Sequence, residues 1–362
     1  MKHVPGEVKK LEYRKVQLTG RSSYIVTLPK DWVRDIGLEP GNQLAVKRQE
    51  DSSLMLIPGA ALEEARKAEE KALSEVTLHA TPKDNPQFVV RKMISLYVVG
   101  VDIIHIKSKG GGFAPEQKRL IHDAVRSKLL GAEIISESPE EIAVQILINH
   151  PEFPVQRAIR RMLSLALSMN EDVISALKTL DEGLARKVMD VDDDVDRLNL
   201  YVVRQLKYAI QNNQFKEIGL ESPKEFLGYR LAASILENVA DQAVKMAENV
   251  LTMEKPVDDE VYEKILALGS CGNKLFRDSM VAFFSRDYQA ADDIISKTVG
   301  VADAERDVFK MILDRKIDAK EASSLRLILH SSRRMTEYSR EMSEVTLNRT
   351  IEETCARDER RH

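Results

Sequence analysis

The spacing of apolar positions divides the chain into three stretches of different period. From Arg14 to Pro58, short β-rich runs alternate with turn residues. Arg14–Leu18 and Tyr24–Leu28 read as two strands around Gly20–Ser23. Pro29–Ile36 reads as one short helix, with proline in its first turn and Gly37 just past its end. Leu44–Val46 and Leu54–Ile57 read as a hairpin around Gln49–Ser53. Ala60–Leu73, rich in Ala, Glu, Lys and Arg, reads as a connecting helix. Strand Glu75–Ala80, helix Pro86–Val99, strand Asp102–Lys107, helix Pro115–Leu130 and strands Ala132–Ser136 and Ile142–Ile148 then alternate as in a small α/β domain. Beyond Pro154 the period becomes that of helices. Ile159, Met162, Leu163, Ala166, Leu167 and Met169 form one stripe of Arg157–Leu180. About six helices are expected there on this periodicity. Breaks fall at Asn212–Pro223 and Glu254–Asp258, and the charged tail Cys355–His362 is expected to fray.

The same three-helix unit is written twice. At an offset of 111, Val188–Asp196 lies over Val299–Asp307, and Leu198, Val202 and Leu206 fall over Phe309, Leu313 and Ile317. Met246-Ala-Glu248 is echoed by Met342-Ser-Glu344 at an offset of 96. The expected fold is therefore mainly α: two tandem three-helix bundles behind a small β-rich domain and a small α/β domain. The expected boundaries are 1–58, a connecting helix 59–74, 75–150, and 154–350 with repeats 154–254 and 258–350.

Composition narrows the class. Of 362 residues, 43% are hydrophobic and 31% charged, enough for a sizeable core under a charged surface. Cys271 and Cys355 form neither a disulfide framework nor a metal pair, which points to a reducing cytoplasm. No apolar run approaches a membrane span, and Met1–Lys10 is polar rather than a leader. Residues 1–58 carry ten basic and seven acidic side chains, so a net charge of −4 divides into +3 for the head and −7 for the rest. Oppositely biased ends imply different partners. The head is too small to bury much core alone and is expected to dimerise.

Asp192 and Asp196 lie four apart, one turn apart on one helix face, and Glu237 and Asp241 share that spacing on the following helix. Where such faces meet, four carboxylates converge, and their repulsion calls for a cation. Carboxylate oxygens suit Mg²⁺, Ca²⁺, Mn²⁺ or iron better than tetrahedral zinc. The second copy offers Asp303, Asp307 and Glu337, but Arg333 stands where the first has Glu237, so that it can neutralise Asp303 and Asp307 directly. The alternative for either copy is a solvated acidic face. No Glu-x-x-His occurs, the scattered His79, His105, His122, His150 and His330 form no ligand set, and Lys109–Gly112 lacks the lysine and hydroxyl of a phosphate loop.

The duplicated acidic turns, with Leu236–Asn249, resemble the PhoU family over roughly 154–349. That resemblance implies two three-helix bundles, multinuclear iron or zinc at the acidic faces, and restraint of phosphate uptake through a phosphate ABC transporter and, in bacteria, a sensor kinase. Asp192 and Asp196 match its first motif, Glu237 and Asp241 the partner helix, and Asp303, Asp307 and Glu337 the second copy. Arg14–Lys30, with Leu38-Glu-Pro-Gly-Asn-Gln-Leu44, looks like the swapped-hairpin domain of the AbrB, MazE and SpoVT proteins. There two chains interlock and basic side chains near the first strand contact DNA. Arg14, Lys15, Arg21, Lys30 and Arg34 are the matching candidates, with Ser22–Tyr24 departing by a short insertion.

The expectation is thus a cytoplasmic, dimeric, phosphate-responsive regulator of transcription or transport, not an enzyme. Its implied partners are DNA, a second copy of the chain, and the ATPase of a phosphate ABC transporter or a signalling protein. Three rivals stand beside it: a regulator that acts on the transporter by protein contact alone, an antidote of a toxin–antidote pair, and a carboxylate-metal enzyme. A structured body of some 290 residues argues against the antidote, and the missing Glu-x-x-His against the enzyme.

Overall fold

The computed structural model describes residues 12–20, 23–48, 53–59, 73–148, 153–212, 214–315 and 317–358. They form two units, Met1–Leu73 and Ser74–His362. The connecting helix expected over Ala60–Leu73, the hairpin loop 49–52, Arg21 and His150 lie wholly or almost wholly outside the described residues.

In the first unit, β1 (Gln17–Thr19) pairs antiparallel with β2 (Ser23–Ile25), and β3 (Leu44–Arg48) with β4 (Leu54–Pro58). The strands around Gly20 are shorter than the β-rich runs predicted, since residues 12–16 and 26–29 take no regular structure. Helix α1 (Lys30–Asp35) starts after Pro29 and stops where Gly37 turns left-handed, φ 64°. None of the described residues of this unit is buried. Tyr13, Leu18, Tyr24, Val46 and Leu54 all lie at least 59% exposed. A domain that leaves its apolar side chains in water gains little from folding alone.

The second unit begins with a four-stranded sheet in the order β5 (Glu75–Ala80), β6 (Ile103–Ser108), β8 (Glu141–Ile146), β7 (Ala132–Glu137). The β5–β6 pair is parallel and the others antiparallel. Helices α2 (Pro86–Val98) and α3 (Pro115–Lys128) both begin with proline at the first turn, where the missing N–H is harmless. They close a core of Met93, Tyr97, Ile104, Ile106, Ile121 and Leu129. This sheet is anchored to the helical body by one buried ion pair. Arg204 donates to the carbonyls of Tyr97 (2.7 Å) and Val101 (2.8 Å) and to Asp102 Oδ1 (3.0 Å).

Helices α4 (Val155–Thr179), α5 (Glu182–Asn212) and α6 (Glu225–Thr252) form the first bundle. α7 (Asp259–Ser285), α8 (Tyr288–Lys297), α9 (Val301–Asp314) and α10 (Ala319–Asp358) form the second. The bundles meet through α4 against α7 and α6 against α10. Asn170 donates to Asn273 across the first of these contacts (2.6 Å, buried), and a Cβ on Gly269 would meet Ile174 Cδ1 at 2.2 Å. The duplication is visible in local geometry. α4 and α7 end on left-handed Leu180 (φ 53°) and Arg286 (φ 56°), and the next residues, Asp181 and Asp287, accept from the N–H of Leu184 and Ala290.

Two expectations are corrected. The second copy of the long α5 is not one helix, because Gly300, at φ 88°, breaks it into α8 and α9. The tail expected to fray from Cys355 instead continues α10 to Asp358.

Candidate functional site

Amphipathic periodicity decides where the acids point. On α5 the buried side is Val188, Val195, Leu198 and Val202, so Asp192 and Asp196 sit half-buried at its edge. On α6 the buried residues Leu236, Val239, Ala240 and Ala243 leave Glu237 and Asp241 in the matching position. The four acids consequently share one electrostatic neighbourhood. Burial, then the charges of Asp196, Asp241, Asp193 and Glu237, push the Asp192 carboxyl from 3.8 up to about 7. Asp192 Oδ1 is buried without a hydrogen-bond partner. Burial also raises Asp196, against the pull of the Lys128 ammonium 3.5 Å from its Oδ2, and burial followed by Asp196 and Asp241 raises Glu237. Lys128 arrives from α3 of the sheet domain, a contribution that no sequence pattern announces. Among the described residues no three acidic, histidine or cysteine side chains already converge as ligands on one point. The face is therefore an under-compensated acidic surface rather than an assembled cage. Its oxygen-only donors and the orphaned Asp192 Oδ1 fit a hard divalent cation or iron. Asp192, Asp196, Glu237 and Asp241 are the residues that would hold it.

The second copy is built differently. Asp303 and Asp307 are exposed on α9, and Asp303 pairs with Arg306 on its own helix (3.0 Å). The α9 side chain that turns inward is Glu305, 4% exposed, with Val308 and Ile312. Glu305 meets Arg333 (2.7 Å) and Arg326 (3.0 Å), while Glu337 is held by Arg333 and Arg334. Asp303, Asp307 and Glu337 are thus not brought together as an acidic face, and Arg333 neutralises Glu305 and Glu337 rather than Asp303 and Asp307. The break at Gly300 explains the error. Burial aligns Glu305, Val308 and Ile312 with Val195, Leu198 and Val202, an offset of 110 in place of 111, so Asp303 falls over the exposed Asp193 rather than over Asp192. Guanidinium groups occupy the place where a metal ion was expected.

In the first unit Arg14, Lys15, Lys30 and Arg34 are exposed. Arg14 is paired with Glu12, and Arg34 with Asp31 at 2.8 Å. Such exposed pairs are held by a net of about 0–1 kcal/mol and exchange readily for a phosphate.

The descriptions of known proteins agree with this division. A family model described as "PhoU domain" matches residues 159–250, which contain all four acids of the first bundle. One described as "Antidote-toxin recognition MazE, bacterial antitoxin" matches residues 17–62. The chain is 24% identical over 194 residues to the phosphate-specific transport system accessory protein PhoU homolog 1 of Thermotoga maritima, covering 50% of this chain and 80% of that protein. It is 26% identical over 137 residues to the Borreliella burgdorferi homolog, covering 35% and 58%. Among solved structures, PhoU from Pseudomonas aeruginosa aligns with a TM-score of 0.48 at 17% identity, over 54% of this chain and 94% of that one. The phosphate transport system regulatory protein PhoU from Streptococcus pneumoniae aligns with a TM-score of 0.48 at 15% identity, over 54% and 92%.

Proposed function

We propose that this chain, which carries a PhoU domain behind a MazE-like hairpin domain, is a phosphate-responsive regulator that binds DNA as a dimer and holds a cation in its first bundle. The observation that carries the reading is the contrast between its ends. One is a head with no buried residue among those described and exposed cations on its surface; the other is a body with four under-compensated carboxylates.

In this reading two heads cover each other's apolar side chains and double the cationic surface. Arg14, Lys15, Arg21, Lys30 and Arg34 then contact phosphates, exchanging Glu12 and Asp31 for the polyanion. In the first bundle Asp192, Asp196, Glu237 and Asp241 bind a metal ion, which supplies the positive charge the α5–α6 face lacks. Lys128 links that face to the sheet domain, so discharge of the acids frees its ammonium. Arg204 and Asp102 keep sheet and bundle in one register. No helix among the described residues is long and apolar enough to cross a membrane.

The test is a salt-dependent mobility shift with the protein's own promoter fragment. Binding is expected, with loss in an Arg14→Ala/Arg21→Ala double variant; equal binding by that variant defeats the DNA assignment. A second reading, regulation of a phosphate ABC transporter by protein contact alone, is favoured by the acid partners that Arg14 and Arg34 already have and by the transport-accessory names of the relatives. It expects no shift and co-purification with the transporter ATPase.

A further inference from the structure

A polar groove of about 550 Å³ runs along the contact of α6 with α10, where the two bundles meet. Helical spacing builds it: Gln242, Lys245 and Glu248 recur on one side of α6, and His330, Ser331 and Arg334 on the facing side of α10. Two of these polar side chains are deeply buried, Gln242 at 7% and Ser331 at 4% exposure. Neither forms a side-chain hydrogen bond among the described residues, and the same holds for Lys245 and His330. Neither Gln242 nor Ser331 belongs to the buried polar atoms left without a partner, so the amide and the hydroxyl open onto the groove beside the Lys245 ammonium, where an occupant that brings acceptors can meet them. Arg334 lies over the Tyr338 ring, 4.5 Å to its centroid, and shares Glu337 with Arg333. Its guanidinium, hydrogen-bonded to Tyr338 and Glu337, lines the groove.

We infer that this groove is a binding site for a tetrahedral oxyanion, the phosphoryl group of free phosphate or of a phosphomonoester, clamped between Lys245 of one bundle and Arg334 of the other. Gln242 and Ser331 donate to its oxygens from the floor, and His330 adds a ring N–H. Glu248 stands at the same groove as the one opposing charge among these residues, and it limits affinity. The site deepens the phosphate-responsive reading and rests on it only for the choice of phosphate over other oxyanions. It differs in place and sign from the acidic α5–α6 face. An occupant would contact both bundles at once and compete with Glu337 for Arg334, which reaches the Glu305–Arg333 network of the second bundle.

The test is calorimetric titration of the full chain, without DNA, using inorganic phosphate, sulfate and glycerol phosphate. Saturable binding is expected at one site per chain. Lys245→Met removes one charge-assisted bond from an exposed position that has no other partner, so binding should weaken about tenfold with the fold intact. Glu248→Gln should tighten binding several-fold. Preference for inorganic phosphate identifies the free ion, and preference for glycerol phosphate an esterified group; either supports the site. Absence of heat from all three anions at about 10 mM overturns it. So does binding that Lys245→Met and Glu248→Gln leave unchanged. Because no DNA, added metal or transporter is present, failure here leaves promoter binding standing, and failure of promoter binding leaves this site standing.

Discussion

Asp192→Asn should stabilise the metal-free protein, and only above the acid range. An aspartate raised from 3.8 to about 7 is disfavoured in its ionised form. At about 1.4 kcal/mol for each tenfold change in acidity, the penalty is about 4 kcal/mol. The side chain is only half-buried, so solvent screening brings this to about 2 kcal/mol. The sign follows from proton linkage: between 3.8 and about 7 the folded state holds the proton more tightly than the unfolded state. Stability therefore falls as pH rises through that window, and the full penalty is present above it. Asparagine keeps the shape and removes the charge. In chelator-treated protein the variant should melt a few degrees higher than the parent at pH 8 and together with it at pH 4. Thermal melts across the pH range read this difference: titrations remote from the face cancel between parent and variant, and relief of the neighbouring acids adds to it in the same direction. With metal added the order should invert, because the variant loses a ligand. A variant that melts lower than the parent at pH 8 without metal, or a difference that does not change with pH, would refute the reasoning.

Other substitutions test the scaffold around the sites. Arg333→Gln strips Glu305 of one of its two guanidinium partners and should cost about 2 kcal/mol in urea unfolding, with metal content unchanged. Arg204→Met removes the guanidinium from Asp102 Oδ1 and the Val101 carbonyl, while Ser74 still donates to Asp102 Oδ2 and the Gly100 N–H to the Tyr97 carbonyl, so a loss of about 3 kcal/mol is expected. Hydrogen exchange should then accelerate first at residues 97–104. Gly300→Ala meets no neighbouring atom but forces a side chain onto φ 88°, so a loss of about 1 kcal/mol by thermal melt is expected from strain alone.

The helical body and the sheet domain were legible because their periods differ and because prolines mark helix starts, Pro86 and Pro115 in the first turn and Pro154 just before Val155. The first acidic face was legible for the same reason: i, i+4 spacing is enough to place Asp192 beside Asp196, and the duplication marked which pair to consider. The second copy misled because a repeat offset is a statement about letters. At Gly300 the inward face shifts by one residue, and only packing shows that Glu305, not Asp303, faces Arg333. Lys128 was illegible for another reason. It reaches Asp196 across 68 positions of sequence from a different domain, a contact set by docking of α3 against α5. The groove residues were hidden in plain helical repeats; Lys245 and Arg334 become a pair only once α6 and α10 are known to touch.

The central claim is an exchangeable cation in the first bundle and built-in guanidinium groups in the second. Elemental analysis of untagged protein, set beside an Asp192→Asn/Asp196→Asn double variant and an Arg333→Gln variant, tests it most directly. Bound metal is expected in the parent, retained in the Arg333 variant and lost in the double variant. Metal content that survives removal of both aspartates would contradict it.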